Sequence, residues 1–160
     1  NDPFNTFYPS TGTYLLENPN LNCGYYKTTE YYLQINYNKA ATKQLSSYPI
    51  TLLKNGKYSF ITGGFSCDYN DVYVYLFELT SDGRAMHLPV YDKAGRIFSN
   101  PPMILCGTGK SPSPDIDIYF STNYNNTNII VSYLIKKNEI GKNSNKLRFY
   151  LNKFIIKQLK

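Results

Sequence analysis

Between Asp71 and Leu79 the chain alternates Val72, Val74 and Leu76 with Tyr73, Tyr75 and Phe77, with hardly a polar position on either side. A period-two run of β-branched and aromatic residues predicts a strand, and one apolar on both sides predicts a central strand covered on both faces. Asp82-Gly83 supplies the next tight turn, and "AMHLPVY" returns as a short strand that Pro89 ends or pushes to an edge. Further on, Ile116, Ile118 and Phe120 alternate with Asp117, Tyr119 and Ser121, a strand with one wet face. "TNIIVSYLI" follows across the polar turn "NYNNTN", and the two runs are expected to pair as an antiparallel hairpin. Asn55-Gly56 inside "LLKNGKYSFIT" predicts another, because a type I′ turn needs positive φ at both central residues.

The remaining segments are less regular. Residues 1–12 read as an extended lead-in broken by Pro3, Pro9 and Gly12. "TYLLE" is a weak strand, "YYKTTEYYLQINYN" one long or two short strands, and "KAATKQLSS" a short helical segment. Residues 92–114 form a loop-rich crossover with a short strand at "MILC". In "NKLRFYLNKFIIKQLK" the apolar spacing fits helix and strand, and the reading leans slightly to a strand that frays or turns helical. The whole is one all-β domain over residues 1–160, with room for one or two short helices. Its expected architecture is an antiparallel β-sandwich, immunoglobulin-like in general shape.

Composition agrees. A chain of 160 residues removes roughly 70% of its unfolded surface on folding, enough for a core without metal. Seventeen Tyr and nine Phe with no Trp suit pleated surfaces, although Asn, Lys, Ile and Tyr share A/T-rich codons and the Tyr excess is discounted for that. No apolar run approaches the roughly 20 residues of a membrane-spanning helix, so a soluble domain is expected. The first residues lack a starting Met and the charged and apolar regions of a signal peptide, which suggests a mature or trimmed form.

Charge is uneven. Residues 136–160 carry eight Lys/Arg and one Glu, a net +7, while nine basic and ten acidic residues leave −1 elsewhere, matching the +6 of the chain. Lys142, Lys146, Arg148, Lys153, Lys157 and Lys160, interleaved with Phe149, Tyr150 and Phe154, form a patch suited to an acidic partner such as an anionic membrane surface. Nucleic acid is the less favoured partner, and a solvated strand whose lysines guard an edge is the plainer alternative.

Catalytic motifs are scarce. "CGTGKS" lacks the earlier Gly of a phosphate loop, having Ile104 there, and Pro112 and Pro114 forbid the helix such a loop must open. Three Cys spaced 44 and 39 residues apart with one His do not supply a zinc site. Asp115/Asp117 and Asp68/Asp71 lack the further oxygen ligands of a Ca²⁺ loop and read as turn residues. No cofactor or metal is expected. A nucleophilic Cys67 or Cys106 served by His87 is an enzyme reading without the local surroundings such dyads need, and a strand histidine is the simpler role for His87. In an exported chain Cys23, Cys67 and Cys106 would form one disulfide; all three pairings stay open.

"NDVYVYLFELTSDGRAMHLPVYDKAGR" resembles the core of the bacterial domain of unknown function DUF4384. There an aromatic "YLYLF"-type strand, an acidic-Gly turn and a strand ending in Leu-Pro or Leu-Phe-Pro follow one another. The likeness extends more loosely from Gly56 to Ile135; here "HLPVY" lacks the Phe before Pro and the crossover is longer. The resemblance implies a compact β domain without an assigned catalytic residue, in exported bacterial proteins of the periplasm, the outer membrane or the medium. The expected function is therefore non-enzymatic: a protein-binding or structural domain whose partners belong to an envelope or secretion assembly. A carbohydrate-binding module or adhesin using exposed Tyr is the alternative reading.

Overall fold

The computed structural model describes residues 6–7, 16–17, 22–23, 26–27, 31–32, 42–67, 70–104, 115–139 and 148–160. The lead-in residues 1–5 and 8–12, Cys106 and its loop, Lys142 and Lys146 lie outside them. Among the described residues there is no helix. Strands β1 (Thr6–Phe7), β2 (Leu16–Glu17), β3 (Asn22–Cys23), β4 (Tyr26–Lys27) and β5 (Tyr31–Tyr32) are two-residue pieces. The body is β6 (Thr42–Ser47), β7 (Ile50–Leu52), β8 (Gly56–Cys67), β9 (Asn70–Leu79), β10 (Ala85–His87), β11 (Met103–Ile104), β12 (Ile116–Thr122), β13 (Thr127–Lys137) and β14 (Arg148–Gln158).

Two sheets make an antiparallel β-sandwich. The larger runs β1-β6-β13-β9-β10, with β7 also on β13 and β11 also on β9; the smaller runs β12-β8-β14. Among the described residues, only the short β1–β6 pair is parallel. β9 is interior to its sheet as its pattern predicts, but it is covered on one face and not on both: Val72, Val74 and Leu76 are buried, whereas Tyr73, Tyr75 and Phe77 on the other face are half-buried. Ile129, Val131, Tyr133 and Ile135 of β13 join the inward face of β9. Against them pack Tyr58 and Phe60 of β8, Ile118 and Phe120 of β12, and Phe149 and Leu151 of β14. Alternation thus decides which face of each strand is dry, and burying these side chains is the main term that holds the layers together.

The structure corrects three sequence expectations. "KAATKQLSS" is not helical where described: Thr42–Ser47 is a strand, with Leu45 opposite Tyr133 on the dry face and the Ser47 hydroxyl accepting from the Val131 amide at 2.9 Å. A single apolar side chain suffices, because the ladder with β13 supplies the rest. The two expected hairpins are corners between sheets: β7 pairs with β13 while β8 pairs with β12 and β14, and β12 and β13 also part company. Gly56 has φ of 133° and Asn55 no positive φ, so Asn55-Gly56 is not a type I′ turn. Both corners bridge the roughly 10 Å between layers and carry inward residues on either side, Leu52 and Tyr58 in one, Phe120 and Ile129 in the other.

Other expectations hold. β9 and β10 form the hairpin at Asp82-Gly83, with Gly83 at φ 86°. "MILC" contributes β11, and the basic tail is a strand, with its pairing to β8 shifted between Leu151 and Lys153. After β10 the chain crosses from one sheet to the other: the Leu88 amide still donates to Leu76 of β9, but Tyr91 exchanges two backbone hydrogen bonds with Tyr119 of β12, at 2.8 and 2.9 Å.

Candidate binding faces

The outer face of the larger sheet is unusually apolar for a surface that, in a two-layer fold, alternation normally leaves polar. Register places Leu134 and Met103 on either side of Tyr73, and Ile130 and His87 on either side of Phe77. Tyr73, Tyr75, Phe77, Ile130, Leu134 and Met103 are all half-buried. The Tyr75 and Phe77 rings stack at 6.3 Å, and the exposed His87 ring stands edge-on to both, at 6.2 and 5.9 Å. Lys136 opposite Asp71 and Thr51 donating to Asn128 at 2.6 Å border this patch, while a part-buried hydroxyl pair, Ser46 and Ser132 at 2.7 Å, lies within it, Ser132 being opposite Tyr75. Beside it, where β10 stops and β11 has not begun, a cleft of about 260 Å³ is lined by Tyr75, His87, Pro89, Ile97, Phe98 and Pro102.

His87 is therefore part of an aromatic cluster on a strand edge. Cys67 ends β8, a short link away from Asn70, whereas His87 pairs with Phe77. Seven residues of strand separate those two points on β9, roughly 23 Å at strand rise. The structure does not bring Cys67 and His87 together. Cys23 sits in the β3–β4 ladder. Among the described residues no group of three or more His, Cys, Asp or Glu is placed to hold a metal ion.

The expected basic patch is divided. Arg148 opens β14, and Lys153, Lys157 and Lys160 are exposed along and beyond it. Lys153 is committed: register sets it opposite Gly63, and its ammonium meets Asp115 at 2.8 Å. The hydrogen bond to that carboxylate, and then its charge, raise Lys153 above the ordinary lysine range. Lys157 lies instead on the row of Ser59 and Tyr119, towards a second cleft of about 520 Å³ lined by Lys57, Tyr91, Asp92, Lys93, Tyr119 and Ser121 among others. Lys57 joins this group through the register of β8 and β12, and Lys93, far away in sequence, through the pairing of Tyr91 with Tyr119. Asp115 and Asp117, read as turn residues, instead lead into and lie on β12.

In class the protein is an all-β antiparallel sandwich with an apolar outer face on one sheet and a tyrosine-floored cleft on the other. Compared with protein-family models and with curated proteins, the chain matches none.

Proposed function

We propose that the chain is a non-catalytic binding domain, immunoglobulin-like in general shape. Its partner is a protein of a bacterial envelope or secretion assembly, met in the periplasm, at the outer membrane or outside the cell. The observation that carries this reading is the outer face of the larger sheet. Tyr73, Tyr75 and Phe77 with Ile130, Leu134 and Met103 make an aromatic and aliphatic centre, ringed by Asp71, Lys136, Thr51 and Asn128. An apolar centre rich in aromatic side chains inside a polar rim is the anatomy of a protein interface. The bacterial, exported setting is supported by the resemblance of residues 56–135 to DUF4384.

The test uses the full chain immobilised over solubilised envelope protein from its host, followed by rebinding of the identified partner in purified form. The expected result is at least about a tenfold loss of affinity on Tyr75→Arg, as for a central interface residue, with unchanged thermal stability. Equal affinity of wild type and variant would overturn the reading.

A further inference from the structure

The backbone exchange between Tyr91 and Tyr119 has a consequence for the surface of the smaller sheet. A residue pair that exchanges both hydrogen bonds across antiparallel strands points its side chains to the same face, with Cβ atoms about 5 Å apart. Tyr91 is also bridged to Ile97, and Tyr119 is opposite Ser59, which is opposite Lys157. One continuous row of Ile97, Tyr91, Tyr119, Ser59 and Lys157 therefore crosses the outer side, with two tyrosines paired through their backbones in its middle. The row below carries Ser121 opposite Lys57, and the Leu159 amide donates to the Lys57 carbonyl at 2.8 Å, closing the end of the cleft.

Around the rings the polar groups are of particular kinds. Lys57 and Lys93 are exposed and line the cleft, Lys157 is exposed at the end of the tyrosine row, and Ser121 offers a hydroxyl. Asp92 is the acid lining the cleft, and its carboxylate accepts from the Arg96 amide at 2.9 Å and lies 3.7 Å from the Arg96 guanidinium. The cleft is therefore positive, with one acceptor already held in place. A cavity of about 520 Å³ is in the range that holds one or two sugar rings.

We infer that the cleft between the Asp92–Arg96 turn and the end of β8 and β12 binds an acidic saccharide. The C–H face of a pyranose covers Tyr91 and Tyr119, its carboxylate or sulfate meets Lys57 and Lys93, and its hydroxyls bond Ser121 and Asp92. A lipid surface is disfavoured by shape. The rings form the floor of a concave site, and Leu159 is the one exposed aliphatic side chain lining it. This site lies on the opposite sheet from the proposed protein interface and stands or falls separately.

The experiment is a calorimetric titration of the full chain with oligogalacturonate and with the same oligomer methyl-esterified, in low salt, beside vesicles containing phosphatidylglycerol. The acid form is expected to bind at least about tenfold tighter than the ester. Lys93→Gln, an exposed loop change that leaves folding alone, is expected to weaken binding about three- to tenfold. Tyr119→Ala is expected to weaken it about tenfold or more, while Tyr75→Ala on the other sheet leaves it unchanged. The inference is overturned by equal binding of acid and ester, by wild-type affinity in Lys93→Gln, by no saccharide binding at about 5 mM, or by binding to vesicles alone.

Discussion

Tyr133 and Thr62 join their hydroxyls at 2.6 Å in the middle of the core, one from each sheet and both fully buried. Thr62 also donates to the Lys153 carbonyl at 3.0 Å, so the proton between the two hydroxyls comes from Tyr133. The pair is therefore asymmetric. Tyr133→Phe leaves Thr62 its acceptor, whereas Thr62→Val takes a partner from both the Tyr133 hydroxyl and the Lys153 carbonyl. Urea unfolding is expected to show a loss of about 1 kcal/mol for Tyr133→Phe and about 2 to 3 kcal/mol for Thr62→Val. Equal losses would contradict this assignment of the proton.

The two corners between sheets are fastened to each other. The Asn126 amide donates to the Leu53 carbonyl at 3.0 Å, and the Asn55 amide donates to the Asn125 side chain at 2.9 Å. Asn126 has φ of 57°, a left-handed conformation that Asn and Gly tolerate and β-branched residues do not. Asn126→Gly is expected to be nearly neutral and Asn126→Val to cost about 1 to 2 kcal/mol in thermal or urea unfolding. A neutral Asn126→Val would show that the corner relaxes.

These corners also mark where the sequence stops being informative. The strands around Val74, Ile118 and Ile130 were legible because alternation is a local property. Which strand each one pairs with is not local. Asn55-Gly56 and residues 123–126 carry the turn residues of hairpins, yet the side chains beyond each turn are needed in opposite layers, and burial prevails over turn preference. Leu45 gave too weak a signal to reveal a strand held by the Tyr133 and Val131 neighbours. The binding faces divide the same way. Tyr73, Tyr75 and Phe77 were visible as one face of a strand and Lys157 as part of a basic run. Lys57, Tyr91 and Tyr119 read as parts of three separate strands and Lys93 as loop, and only the pairing of those segments brings them together.

In the β9–β10 turn, hydrogen bonds hold the Asp82 carboxyl below the ordinary carboxylate range. The Thr80 hydroxyl donates to Asp82, and the Arg84 guanidinium approaches its other oxygen at 2.9 Å. The Thr80 bond is the larger cause holding Asp82 below the usual 3.8, and the Arg84 contacts add to it. A carboxyl whose folded pKa is depressed stabilises the fold fully above its unfolded pKa and loses that contribution as pH falls through the folded value. Carboxyl NMR is expected to show Asp82 titrating below 3.8, and Thr80→Val to move it upward. An unchanged Asp82 titration in Thr80→Val would refute the assigned cause.

The exported setting predicts the state of the cysteines. Alkylation under denaturing conditions, read by mass spectrometry on protein taken from its native compartment, is expected to find one free thiol before reduction and all three after it. Three free thiols before reduction would argue against an oxidising compartment and, with it, against the envelope assignment.

The most direct test of the central claim, that the outer face of the larger sheet is a protein interface, is photo-crosslinking in the native host. A photoreactive phenylalanine analogue at position 75 is compared with one at position 121 on the other sheet. The account predicts a discrete adduct with one identifiable protein from position 75 and none from position 121. No adduct from position 75, or the same adducts from both positions, would contradict it.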